Sequence, residues 1–305
     1  MRFYVGLTDD EWFDYLSQLK PDEVNFWRPS SHLSFQALQP GAPFLFKLHA
    51  PHHAIVGGGF FVRFIRLPLS IAWLTFGSKN GAPEREIFFE KVLSYRRERG
   101  ELSRDPIIGN IILAQPFFFE QREWLLPPSN WAPSIQQGKV YDTDEPIGAE
   151  LWAEVMRRLQ AKNSLQTLAP VPQDPQGSYR WTFQRLGQGA FRALVIDAYR
   201  QCAVTFEHTL PVLEAAHIRP YAQGGPHTVN NGLLLRSDLH ILFDRGYVSV
   251  DEDYRFIVSE QLAADYHNGR NYYTHNKQRI FLPNDPSDRP SREFLQWHRE
   301  KVFLG

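Results

Sequence analysis

The chain has 305 residues, 33 Lys and Arg against 34 Asp and Glu, and a formal net charge of −1. That balance excludes a protein that coats nucleic acid by bulk charge, and the single cysteine, Cys202, excludes an internal disulfide and a cysteine-rich zinc knuckle. Aromatics at 14%, with 22 Pro and 20 Gly, predict a loop-rich α+β protein long enough for two domains.

The opening residues, MRFYVGLTDDEW, lack the apolar core of a signal peptide, and no run of 18 apolar residues occurs. A cytoplasmic location without membrane contact is therefore expected. TDDEWFDYLSQLK (8–20) predicts an amphipathic helix with Thr8 as N-cap and acids in the first turn. EVNFWRPSS (23–31) is an extended piece running into a loop. Residues 43–68 predict two strands around a turn, with Gly57, Gly58 and Gly59 marking a bulge or a close backbone approach. SIAWLTFGSKNG (70–81) ends in an Asn80-Gly81 turn. A helix follows over 84–98, then a buried strand over 107–119, then a Pro-rich irregular stretch to about 142.

A helix over 147–162 leads into TLAPVPQDPQGS (167–178), a Pro-rich linker. The expected division is 1–145, a connecting helix and linker at 146–178, and 179–305. From Met156 to Arg200 seven basic residues face two acidic ones, a local charge of +5 just ahead of the stretch richest in chemistry. A helix is expected over 188–200, a hairpin over 246–259, a short helix near 260–267 and a last helix near 290–302.

Residues 213–246 carry three polar side chains suited to phosphodiester hydrolysis: His217, Asn231 and His240. The order is strand, loop, strand, helix. His217 ends the first strand, beside a Gly/Pro-rich loop, and His240 lies 23 residues on, within the helix. Packed together, strand and helix can point both rings into one cleft. Hydrolysis needs a base beside the attacking water and a cation beside the leaving oxygen, and histidine is a base near neutral pH. The Asn231 amide can hydrogen-bond across the loop that holds His217. His227, in GGPHTVNN, is expected to be exposed and idle.

AHIRPYAQGG, NNGLLL and SDLHILFDRG together resemble the HNH endonuclease family, with its ββα-metal fold. The resemblance implies His217 as general base, Asn231 as the loop-positioning residue and His240 as ligand of a divalent metal, Mg²⁺ or Mn²⁺. Many members carry an Asp or His before the base as a second ligand. Ala216 stands there in this chain, which leaves Glu214, Asp238 and Asp244 as candidates. Paired CxxC motifs, present in some members, are missing, so no structural zinc is expected. Residues 185–205 resemble the segment that precedes HNH motifs in restriction-type enzymes, which implies DNA contacts from Arg180, Arg185, Gln188 and Arg192. The same residues also suit an amphipathic helix docked by Phe191 and Leu194.

Toward the N-terminus, NFWRPSS (25–31), the hairpin after it, AWLTFG and the late strand resemble the PUA superfamily, which includes EVE and SRA domains. That implies a small β-barrel with a pocket for a modified or flipped base. Trp27, Trp73 and Phe76 are the candidate stackers; Asn25, Ser30, His32 and Asn80 are the candidate polar readers. The combination resembles modification-dependent restriction endonucleases acting on double-stranded DNA with 5-methylcytosine- or hydroxymethylcytosine-type bases, with 5′-phosphate products expected. One such site cuts one strand, so a homodimer or two binding events would be needed for double-strand cleavage. The competing reading is a non-cleaving reader of modified nucleic acid with a degenerate HNH platform, a reading that Ala216 keeps open.

Overall fold

The computed structural model describes residues 1–30, 34–98, 100–161, 171–172, 179–180 and 186–305. Contacts divide the chain into Met1–Leu186 and Gly187–Gly305.

In the first unit the strands are β1 (Arg2–Thr8), β2 (Glu23–Arg28), β3 (Pro43–Leu48), β4 (Ile55–Pro68), β5 (Ile107–Phe118) and β6 (Gly138–Asp142). They form one sheet in the order β2-β5-β4-β3-β1-β6. β1 runs parallel to β3, and the remaining neighbours are antiparallel. β2 and β6 are the edges and do not pair with each other, so no closed barrel forms among the described residues. The expected barrel is thus corrected to an open, bent sheet. Register shifts in β4 and β3 bend it, but closure needs hydrogen-bonded edges, and these short edge strands do not meet.

Alternation along the strands sends side chains to two cores. Phe44 and Phe46 face the helix α1 (Asp10–Leu19), which buries Trp12, Phe13 and Leu16 on that side. Phe3, Val5 and Leu45 face α4 (Pro146–Ala161) through Leu151, Val155 and Leu159, spaced four apart on one helix face. The 147–162 helix therefore belongs to the first unit's core. Asp9, not Thr8, caps α1: its carboxylate accepts from Trp12 N at 2.8 Å, while Thr8 ends β1 as a buried residue. The triple glycine does make a close approach, since a Cβ on Gly57 would lie 2.3 Å from the Phe117 carbonyl oxygen. α2 (Leu69–Phe76) and α3 (Arg85–Arg97) complete the layer, and a two-residue pair, β7 (Val171–Pro172) with β8 (Tyr179–Arg180), follows α4.

The second unit begins with α5 (Gln188–Tyr199) and places β9 (Leu213–His217) antiparallel to β10 (Gly232–Arg236). His217 lies opposite Gly232, and Glu214 opposite Leu235. α6 (Ser237–Asp244) starts directly after β10, giving the strand, loop, strand, helix order expected of 213–246. α5 packs against this ribbon so closely that a Cβ on Gly232 would sit 2.7 Å from Val195 and 3.0 Å from Phe191. Behind α6 lie the hairpin β11 (Val248–Val250) and β12 (Phe256–Val258), two short helices α7 (Gln261–Tyr266) and α8 (Arg270–Tyr273), and α9 (Arg292–Lys301). His298 of α9 is sealed there: it stacks on Phe243 at 3.7 Å and bonds Ser249 Oγ at 2.9 Å and the Phe243 carbonyl at 3.1 Å. No helix among the described residues is long and apolar enough to cross a membrane.

Candidate active site

His217 closes β9 with its ring flat against Phe191 of α5, centroids 3.8 Å apart and planes at 15°. Its Nε2 lies 2.9 Å from His227 Nδ1. Burial, then the neighbouring His227 and His240 rings, push the His217 pKa down to about 4. The imidazole is consequently neutral at pH 7 and keeps a lone pair for a proton.

The loop from β9 to β10 is closed by Asn231, whose side chain is fully buried. Its Oδ1 accepts from Arg219 N, and its Nδ2 donates to the carbonyls of Arg219 and Pro226, each at 2.9 Å. Three loop groups that would otherwise lack partners are satisfied by one side chain. The clamp also explains Gly225, where a Cβ would meet the Arg219 carbonyl at 1.9 Å and Asn231 Nδ2 at 2.8 Å. His227 is carried in this loop, half-buried, with its ring stacked on Tyr221 at 4.4 Å and 6°. It is neither exposed nor idle, contrary to the sequence expectation. The spacing of residues could not reveal this, because the loop folds back only once Asn231 and Gly225 are in place.

On α6, His240 presents its Nδ1 to the Glu214 carboxylate of β9 at 2.6 Å and its Nε2 to Asp244 at 3.4 Å, one turn along the same helix. Partial burial pushes the Glu214 carboxyl up, but hydrogen bonds from His240 and Ser237, with the nearby His240 and Arg192 charges, outweigh it and hold it below the usual range. Burial and the Glu214 charge raise Asp244 despite the pull of His240. Glu214 shares a strand face with Ala216, two residues on, so an acid lies on the face of the residue that precedes His217 even though that residue is alanine. Asp238 is engaged elsewhere, in a two-point pair with Arg236 at 2.6 and 2.8 Å and with Tyr272 at 3.2 Å.

Of the residues expected to meet DNA, Gln188 is exposed at the start of α5. Arg192 is half-buried: its guanidinium donates to the Leu213 carbonyl at 3.3 Å and lies near Glu214, so it braces β9. Arg185 and the side chain of Arg180 lie outside the described residues, as does His32.

In the first unit a cavity of about 340 Å³ is lined by Trp12, Trp27 and Tyr95 and by Asp9, Arg28, Ser30 and Gln137, among others. Of the candidate base-pocket residues, Trp27 and Ser30 line it. Asn25 and Asn80 are instead sealed in the core, where Asn25 Nδ2 donates to Asn80 Oδ1 at 2.8 Å and to Asn110 Oδ1 at 2.7 Å. Trp73 does not line the cavity; it packs on Phe88 with centroids 5.9 Å apart. Phe76 is buried. Arg28, whose guanidinium donates to Gln137, was missed because arginine at a strand end carries no pattern of its own.

The strand, loop, strand, helix segment thus carries a neutral imidazole at a strand end, an amide-clamped loop and a carboxylate-braced imidazole on the following helix. Residues 202–251 match the model of the HNH endonuclease family. No curated protein matches the chain. Among solved structures it is similar to ASCH from Zymomonas mobilis, at 11% identity over 50% of this chain and 94% of that one, with a TM-score of 0.33. It is also similar to the modification-dependent TagI restriction endonuclease, at 12% identity over 92% of this chain and 75% of that one, with a TM-score of 0.27.

Proposed function

We propose that this chain is a divalent-metal-dependent DNA endonuclease that restricts DNA carrying modified bases. The observation that carries the proposal is the neutral, ring-braced His217 on the same ribbon as the Glu214–His240 pair. His217 takes a proton from water. The resulting hydroxide attacks phosphorus, and the 3′-oxygen leaves with the electrons of its P–O bond, giving a 5′-phosphate end.

The residues fit a hydrated divalent ion, although no three His, Cys, Asp or Glu among the described residues are arranged to hold one. With Glu214 accepting the Nδ1 proton of His240, the Nε2 lone pair is directed outward beside the Asp244 carboxylate. One imidazole nitrogen and one carboxylate suit Mg²⁺ or Mn²⁺, which keep several waters of their own. When bound, such an ion supplies positive charge at the scissile phosphate. Asn231 holds the loop that frames His217, and Glu214 fixes the tautomer of His240.

The first-unit cavity supports base reading. Trp27 and Tyr95 offer aromatic faces, and Arg28, Ser30 and Gln137 offer donors and acceptors. The test is a cleavage panel on duplexes that differ only in cytosine or adenine modification, with Mg²⁺ or Mn²⁺. The wild-type protein is expected to cut one class preferentially and to stop in EDTA. His217→Ala is expected to lose roughly a hundred- to ten-thousandfold in rate. Undiminished cleavage by His217→Ala removes the catalytic assignment. The sparse protein ligand set favours one competing reading, a non-cleaving reader; tight binding to modified DNA without cleavage under every divalent ion would establish it.

A further inference from the structure

We propose that His227 is a positioning residue for His217, holding the base in the tautomer that leaves Nδ1 with its lone pair; the proposal rests on the nuclease reading above. The two rings meet through His217 Nε2 and His227 Nδ1 at 2.9 Å, with planes at 62°. One of the two nitrogens carries the hydrogen and the other accepts it. Water can be deprotonated only by a nitrogen that has a free lone pair and access. His217 Nδ1 has no hydrogen-bond partner among the described residues, and it is not among the buried polar atoms left without one. Nδ1 is therefore the atom placed to act on water, so Nε2 must carry the proton and donate it to His227 Nδ1.

Both rings are fixed for this task. Phe191 supports the plane of His217, and Tyr221, itself 51% exposed, supports that of His227. Stacking sets a ring's plane but does not choose between its two flipped orientations. The hydrogen bond does, because a flipped His217 ring presents carbon to His227. Asn231 and Gly225 shape the loop that delivers His227 to this point. When Nδ1 accepts the proton from water, the ring becomes a cation and its Nε2–H bond to His227 becomes charge-assisted. The proton count closes: one proton leaves water for Nδ1, and the Nε2 proton stays where it was.

The test compares the full-length wild-type chain with His227→Ala and His227→Asn. The asparagine Oδ1 occupies nearly the place of His227 Nδ1 and accepts the same bond. Expected for His227→Ala is a roughly ten- to hundredfold fall in kcat with KM within about twofold. His227→Asn is expected to recover most of that loss. Nitrogen-15 NMR of the His217 ring supplies a readout that needs no cleavage. Wild type and His227→Asn should show a protonated Nε2 and an unprotonated Nδ1, and His227→Ala an exchange average of both tautomers. An unchanged kcat in His227→Ala, a loss that asparagine does not recover, or a wild-type ring protonated at Nδ1 would each overturn the proposal. If the wild type cuts no DNA, the nuclease reading fails, while the tautomer still decides the role of His227.

Discussion

At the residue scale the proposed reaction depends on a histidine kept uncharged. With its pKa near 4, His217 is neutral over the whole working range, so the acid limb of kcat/KM should lie near pH 4, well below the ordinary histidine value. A cleavage profile that falls instead around pH 6.5 would contradict this environment. His298 has its pKa lowered to about 4 as well, chiefly by burial. For both rings the folded state resists protonation that the unfolded chain accepts. Stability is therefore full above pH 6.5 and is lost as pH falls from about 6.5 to about 4, by roughly 1 kcal/mol per pH unit for each. Melting curves of wild type and His298→Gln across that window should show the steeper loss in wild type. Asn231→Ala should cost about 2–4 kcal/mol, because it leaves Arg219 N and the carbonyls of Arg219 and Pro226 without their partner.

At the element scale the helices α5 and α6 both pack on the ribbon β9–β10. The α5 ring that braces His217 is the same ring that forbids a side chain on Gly232. Gly232→Ala should cost about 1–3 kcal/mol by overpacking and should lower the cleavage rate as well, since Phe191 must shift beneath the base. Differential melting and single-turnover kinetics on the same variant check both. The periodicity around 84–98, 107–119 and 188–200 predicts elements that the structure contains almost to the residue, because their apolar spacing is long and regular. β1 and β6 carry no such signal, since each is defined by a partner remote in sequence: Arg2 pairs with Asp142. The site divides the same way. His217, Asn231 and His240 are legible as candidates from order and spacing and Glu214 as one of three candidate acids, while the pairing of Glu214 with His240 and of His227 with His217 depends on the register of β9 and the return of the loop.

At the scale of the whole molecule, Met1–Leu186 carries the aromatic cavity and Gly187–Gly305 carries His217, His227 and His240. On the proposed reading, recognition and chemistry can be altered independently. Tyr95→Ala, at a position 41% exposed, should weaken binding to modified duplex by about 1–3 kcal/mol, the value of one base stacked on an aromatic face, without moving the melting transition. Competition binding between modified and unmodified duplexes measures it.

The carboxylates of Glu214 and Asp244, set on either side of His240, carry a further thermodynamic consequence. On the proposed reading these two acids, offset in part by the neighbouring Arg192, repel a DNA phosphate brought there until a cation intervenes. Ion and duplex would thus be positive effectors of one another at a single locus. Linkage requires the two couplings to be equal: whatever factor the ion adds to duplex affinity, the duplex must add to ion affinity. Titrating ion into the free and the duplex-bound protein, beside the converse pair of titrations, should close that cycle. Glu214→Gln should shrink both legs together.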